Sequence, residues 1–299
     1  MSTTPSALTF RAKAAQDKAR ILREALPWIT RWTGRTLVVK YGGNALADDD
    51  QMLPAFAADI ALLRRVGLRV VVVHGGGPQI SALSQKLGLV PAFVDGLRVT
   101  DEATLDVVKM VLLGQVNPQL VGAVTQAGAS AVGVSGTDGT LLTVRPSDPR
   151  LGRVGAVDTV NPRILEALLD EGAVPVIAPI GRDADGVEYN VNADAAAGAI
   201  AAALSADKLI VLTNVPGLYD DFGAADQALL SRVTLERLRA MLRDAQLAAG
   251  MVPKVASLVT ALDGGVVHAH LLDGRIEHAL LLEIFTDEGI GTMVEREGF

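Results

Sequence analysis

Two runs constrain this chain more than any other feature: Val70-Val71-Val72-Val73 and Leu209-Ile210-Val211-Leu212. Both are apolar at every position. A strand covered on one face alternates polar with apolar residues. A strand covered on both faces does not, and such strands belong to parallel sheets flanked by helices. The two runs fall in strands predicted at 69–73 and 208–213, and further strands are predicted at 36–40, 130–134, 174–180, 266–272 and 282–285. Helical patterns lie between them, at 51–66, 78–88, 101–126, 161–171, 193–204, 234–247 and 253–263. This alternation predicts an α/β fold, a three-layer αβα sandwich around a mainly parallel sheet. The polar, turn-rich stretch 181–187 is the best boundary between two lobes, 34–182 and 183–299.

A helix over 8–32 precedes the first strand. Ile21, Ala25, Trp28 and Trp32 share one face beside Leu22, Leu26 and Ile29, and Pro27 should kink it. The stripe packs either on its own domain or on another subunit. It stands outside a complete α/β unit, so residues 1–33 are read as an oligomerisation helix.

Composition narrows the function classes. The chain has 299 residues, is 49% hydrophobic and only 4% aromatic, so the core is large and aliphatic. A net charge of −7 argues against general nucleic-acid binding. Without cysteine there is no thiol nucleophile or disulfide. The longest low-polarity run, 195–204, is far short of the roughly 20 residues that span a bilayer. No apolar signal core opens the chain, and Asp17, Glu24 and the two tryptophans argue against a transit peptide. A cytoplasmic protein is expected, without membrane attachment.

The chemistry concentrates where predicted strands end. Lys40-Tyr41-Gly42-Gly43-Asn44 follows the first strand. Glycines there allow the backbone close to a ligand, and their N–H groups can cradle an anion. The motif is either a phosphate cradle or an ordinary turn with a solvated lysine. Only seven of the 27 basic residues are lysines (Lys13, Lys18, Lys40, Lys86, Lys109, Lys208 and Lys254), which favours the cradle. His74-Gly75-Gly76-Gly77-Pro78 is a second glycine turn, opening a helix. It lacks the G-x-G-x-x-G dinucleotide pattern, since Ile80 stands at the last glycine. His74 is either a general base or structural. Arg98 is placed to grip a carboxylate or to make a surface ion pair. Asn190 and Asn192 share a face if extended, and Asp194 falls in the next helix's first turn, to cap it or to orient lysines. Thr213 and Gly217 mark a strand end entering a Pro-Gly turn. Lys254 opens a helix, where a cation opposes the helix dipole unless an anion is bound. His268 and His270 lie two apart on one strand, but no third ligand has convincing spacing, so no metal site is expected.

Taken together, these motifs resemble the amino-acid kinase family, in register over about residues 8–296. Within it, the chain looks most like the branch that phosphorylates the side-chain carboxylate of N-acetyl-L-glutamate in arginine biosynthesis. The resemblance implies that Lys40 and Lys254 stabilise the transferring phosphoryl group and that Asp194 holds both lysines. Gly76, Gly77, Arg98 and Asn190 match positions that bind the acetylated amino acid. Lys40, Gly42, Gly43, Thr213, Gly217 and Lys254 belong to the ATP site, with Mg²⁺ carried on ATP. The N-terminal lobe would bind the amino acid and the C-terminal lobe ATP. The helix before Lys40 and the tail resemble the arginine-inhibited hexameric members, trimers of dimers, which places His270, Glu283 and Gly289 in an L-arginine site. A PII-type regulatory protein is a further possible partner. Thr137 and Arg153 depart from the usual lysine and the usual histidine or phenylalanine, which touches fine specificity. The nearest rival substrate is N-acetyl-L-α-aminoadipate, one methylene longer, and a non-catalytic arginine or nucleotide sensor is the rival of another class.

Overall fold

The computed structural model describes residues 7–42, 52–220, 228–248, 250–286 and 289–296. The N-terminal half runs α1 (Ala7–Trp32), β1 (Thr36–Tyr41), α2 (Met52–Arg65), β2 (Arg69–His74), α3 (Gly77–Lys86), β3 (Phe93–Val94), β4 (Leu97–Arg98), α4 (Glu102–Val111), α5 (Asn117–Gln126), β5 (Ala131–Ser135), β6 (Leu142–Pro146), β7 (Val154–Val160), α6 (Arg163–Asp170) and β8 (Val174–Ala178). The remainder runs β9 (Ile180–Arg182), β10 (Glu188–Val191), α7 (Ala193–Ala203), β11 (Lys208–Thr213), β12 (Leu218–Tyr219), β13 (Leu229–Leu230), β14 (Arg232–Thr234), α8 (Leu235–Arg243), α9 (Val252–Asp263), β15 (His268–Asp273), α10 (Ala279–Phe285) and β16 (Thr292–Glu295).

Eight strands form one sheet, in the order β14-β16-β15-β11-β1-β2-β8-β5. Every neighbouring pair is parallel except β15 with β16. The apolar runs sit near its middle, buried on both faces. Val38, Val71 and Val73 meet α6, α7 and α9 on one side. Val39, Val70 and Val72 meet α2, α4 and α5 on the other. The three-layer sandwich is therefore as expected. Small residues in α7 let α9 come close: a Cβ at Gly198 would stand 2.6 Å from the Ser257 carbonyl oxygen.

Several local expectations need correction. Residues 282–285 are not a strand but the end of α10, which buries Ala279, Leu280 and Ile284. The predicted strand 174–180 ends at Ala178, and Ile180 starts β9. The predicted helix 101–126 is continuous but contains a π turn at Leu112–Val116. By length and apolarity alone this run could cross a membrane. It packs Val107, Val108, Val111, Val116, Leu120 and Val124 into the protein's own core. A small closed barrel, β10-β7-β6-β9, was not anticipated. The 182/183 division falls at the tip of the β9–β10 hairpin, so both sides of it supply strands to that barrel. Helix α1 runs through Pro27 without a break. Trp32 is buried, Trp28 and Ile29 are half-buried, and Ile21, Leu22 and Leu26 are exposed.

Candidate active site

The carboxyl ends of β1, β2 and β11 open onto one cavity of about 340 Å³. In open parallel sheets that is where ligands bind. Lys40, Gly42, Gly76, Gly77, Arg98, Asn190, Asp194, Thr213 and Lys254 all line it. Residues far apart in the chain are thus brought together much as the motifs predict. Gly43, with Asn44 of the same motif, lies outside the described residues.

At the centre one carboxylate meets two ammonium groups. Lys40 Nζ is 2.8 Å from Asp194 Oδ1, and Lys254 Nζ donates to Asp194 Oδ2 at 3.1 Å. Asp194 is seated by α7, whose first turn is capped by Asn192: the Asn192 Oδ1 accepts from the N–H groups of Asp194 and Ala195. Burial alone would raise the Asp194 pKa, but the two lysines overcome it and hold the carboxyl below its usual value. Burial lowers the Lys40 pKa; Asp194 opposes that shift and Lys254 adds to it. The result is a pair of cations fixed at one point, with less than one full countercharge each.

The acceptor side is built on Arg98. Its Nη2 donates to the Gly77 carbonyl at 2.9 Å and to Ser81 Oγ at 2.7 Å. Its Nη1 is buried without a hydrogen-bond partner among the described residues, a donor available beside the cavity. The Phe93 ring lies 4.8 Å from the guanidinium carbon. Asn190 Nδ2 donates to Thr100 Oγ1, which itself donates to the Arg98 carbonyl. Gly76 is required for space, since a Cβ there would meet Leu112 at 2.6 Å, whereas Gly77 faces open space. His74 is fully buried behind the turn and does not line the cavity, so the histidine weighed as a base is a core residue.

A second cavity of about 470 Å³ adjoins the first and shares Thr213, Asn214 and Lys254 with it. Val215, Leu218, Leu247 and Met251 give it apolar walls, and Gly217 forms part of its lining. Its lining suits an apolar group whose charged end reaches Lys254.

A third cavity, about 340 Å³, lies away from the other two, under α1. It gathers Trp28, Arg31, Lys208, His270, Glu283 and Gly289. His270 Nδ1 and Glu283 Oε1 are 2.5 Å apart, and the Ile290 N–H donates to the other Glu283 oxygen. Burial pushes the His270 pKa down to about 4, so the ring is neutral and donates from Nδ1 to the carboxylate. Gly289 takes the left-handed conformation, φ 60°, bringing its backbone close to Glu283. Among the described residues no group of three or more potential metal ligands converges.

The sequence matches the amino acid kinase family over residues 35–273. The chain belongs to the amino acid kinase family. It is 53% identical over 292 residues to the acetylglutamate kinase of Acidothermus cellulolyticus, covering 94% of this chain and 97% of that protein. It is 50% identical over 302 residues to the acetylglutamate kinase of Streptomyces coelicolor, covering 98% and 97%. Among solved structures, the N-acetylglutamate synthase of Neisseria gonorrhoeae with coenzyme A and N-acetyl-glutamate superposes with a TM-score of 0.81 at 30% identity. The match covers 94% of this chain and 64% of the synthase, so the chain spans under two thirds of that protein's length. The same synthase with coenzyme A and L-arginine gives 0.79 at 29% identity, over 94% and 66%.

Within this kinase fold, three residues beside the cavities escaped sequence reasoning. Lys208 is nine-tenths buried in the third cavity, its Nζ 4.7 Å from the Trp32 ring, and burial lowers its pKa to about 8. A lysine beginning a buried strand, in a chain with few lysines, was the available signal. Ser81 and Asn214 carried no signal of their own. Thr137 and Arg153, the two departures, do not line the first cavity. Arg153 pairs with Glu102, and Thr137 Oγ1 lies 2.8 Å from Ser135 Oγ.

Proposed function

We propose that this kinase transfers the γ-phosphoryl group of ATP to the side-chain carboxylate of N-acetyl-L-glutamate. The observation that carries the reading is the single Asp194 carboxylate holding Lys40 and Lys254 where two cavities meet. Near-full-length relatives named acetylglutamate kinase support it.

The acceptor carboxylate is ionised at neutral pH and needs no general base. One of its oxygens bonds to the γ-phosphorus as the bond to the β–γ bridging oxygen breaks, giving an acyl phosphate and ADP. Such a transfer needs alignment and neutralisation of charge on the moving group. The two ammonium groups supply the neutralisation, and Asp194 fixes their positions. Gly76 and Gly77 offer N–H groups at the start of α3 to the acceptor side. The free Arg98 Nη1 suits the α-carboxylate, and Asn190 the amide. Thr213, Gly217 and Lys254 take the nucleotide, with Gly42 close to its phosphates. Mg²⁺ would enter with ATP and supply positive charge to offset the negative charge of the phosphates. Asp194, the carboxylate lining the cavity, is engaged by two lysines, which suits an ion held mainly by the nucleotide.

In this reading residues 34–182 serve mainly the acceptor and 183–299 the nucleotide, with Asn190 reaching back across the hairpin. The third cavity takes L-arginine as inhibitor: Glu283 for the guanidinium, Lys208 for the carboxylate. A synthase of the same fold has been solved with L-arginine, which supports L-arginine as a ligand to test. The exposed Ile21, Leu22 and Leu26 of α1 fit packing against a second copy, as in a hexamer, and a PII-type protein is a candidate regulator. A cytoplasmic enzyme fits this chemistry.

The test is ADP release from Mg-ATP with N-acetyl-L-glutamate, N-acetyl-L-α-aminoadipate or L-glutamate, each with and without L-arginine. Turnover on the first, suppressed by arginine, is expected. Preference for the aminoadipate would keep the mechanism and change the substrate, since one methylene is worth only about 1–3 kcal/mol in a pocket. ATP binding without any turnover would leave a sensor.

A further inference from the structure

His74 stands in the glycine motif, yet it faces away from the cavity. Its hydrogen bonds fix its tautomer. Asn117 Nδ2 lies 2.8 Å from the Val176 carbonyl oxygen and 3.1 Å from His74 Nε2. A carbonyl only accepts, so the atom facing it is the amide nitrogen, and its second hydrogen points at Nε2. Nε2 therefore carries the lone pair, and the ring hydrogen is on Nδ1. That N–H donates to the carbonyl of Gly75 at 2.9 Å. On the other side of the same residue, the Gly75 N–H donates to the Tyr41 carbonyl at 3.1 Å, next to Lys40. Both peptide planes of Gly75 are thus tied down, one to the β1 turn and one to His74.

The placement of Asn117 depends on two unusual local features. Through the π turn, the Asn117 N–H donates to the Leu112 carbonyl, five residues back. In an ordinary helix residues five apart point in different directions; the wider turn lets Leu112 and Asn117 share a face. Leu112 then closes on Gly76 while Asn117 reaches His74. On the sheet side, a Cβ at Gly133 would stand 2.1 Å from Asn117 Oδ1, so the asparagine fits only because residue 133 has no side chain.

We propose that Asn117 and His74 are positioning residues for phosphoryl transfer: their hydrogen-bond relay fixes the Gly75–Gly77 turn against the acceptor. This rests on the reading of the site as a phosphotransfer centre. It assigns His74 no proton transfer. Burial holding the His74 pKa near 4 is consistent with a ring that stays neutral throughout the working range.

Two measurements test it. The first is nitrogen NMR of the histidine-labelled full-length protein, with the His74 signals assigned by their loss in His74→Gln. A neutral ring with hydrogen on Nδ1 at every pH from 5 to 9 is expected. Hydrogen on Nε2, or titration near 6.5, would overturn the relay. The second is steady-state kinetics of Asn117→Leu and Gly133→Ala with N-acetyl-L-glutamate and Mg-ATP, well below each variant's unfolding temperature. Both variants should lose at least tenfold in kcat while the KM for ATP stays within twofold. Gly133→Ala displaces Asn117 without removing it, so it serves if Asn117→Leu does not fold. Loss of thermal stability with wild-type kcat would make the pair purely structural and refute the proposal. If the wild-type protein has no turnover, the phosphotransfer reading fails and the positioning role with it, while the tautomer still stands or falls on its own spectrum.

Discussion

Lys40 and Lys254 hold opposite oxygens of one carboxylate, at 2.8 and 3.1 Å, although they stand on elements far apart in the chain. Neither lysine has a second acidic partner among the described ion pairs, so Asp194 sets the position of both. Asp194→Asn should lower kcat by about 10²-fold or more, the scale of a misplacement near 1 Å, with a smaller change in either KM. Lys40→Arg should act the same way, because a planar fork cannot reproduce the ammonium's position. Steady-state kinetics decides; unchanged kcat in either variant would remove the assigned role.

Ser81 acts through Arg98. Its hydroxyl and the Gly77 carbonyl occupy one guanidinium nitrogen and leave the other free. Ser81→Ala should raise the KM for N-acetyl-L-glutamate roughly tenfold, about one charge-assisted hydrogen bond, with kcat and the KM for ATP little changed. Ser81→Thr should recover most of the loss.

Glu283 is the acid that His270 and the Ile290 N–H orient in the third cavity. Glu283→Gln should weaken L-arginine binding by at least tenfold in calorimetry, because a guanidinium loses its charged partner. Arginine affinity equal to wild type would move the inhibitor elsewhere.

His278 and the buried Asp59 meet at 2.6 Å between α10 and α2. Burial raises the Asp59 pKa to about 6, and the Asp59 hydrogen bond raises that of His278 above its usual 6.5. Both groups bind protons more tightly in the folded chain than in the unfolded one. Their stabilisation is therefore present at low pH and is lost as pH rises through these values. Urea midpoints should fall between pH 4 and pH 8 in the wild type, and fall less in Asp59→Asn, which removes both shifts. Parallel pH dependence in the two proteins would show that the pair is not responsible.

What the sequence made legible follows from burial. Strands β1, β2 and β11 are covered on both faces, so Val70–Val73 and its counterparts are apolar without interruption. The glycine turns directly after them, with Lys40, Asp194 and Lys254, were readable because each motif is local. The barrel was not: Val154–Val160 and Glu188–Val191 carry polar and glycine residues and alternate poorly. Helix α10 is seven residues long, too short for a helical period to show, and Leu282-Glu283-Ile284-Phe285 reads as a strand. Ser81, Asn117 and Gly133 matter only through partners distant in sequence, so nothing near them announced it.

Strand β11 has Lys208 at one end, in the third cavity, and Thr213 at the other, in the first two. Its six residues span about 17 Å. Occupants of the two ends cannot touch each other. β11 pairs with β15 over all six residues and with β1 over Lys208–Val211. A visitor at one mouth and the chemistry at the other are thus set apart by the whole length of one buried strand.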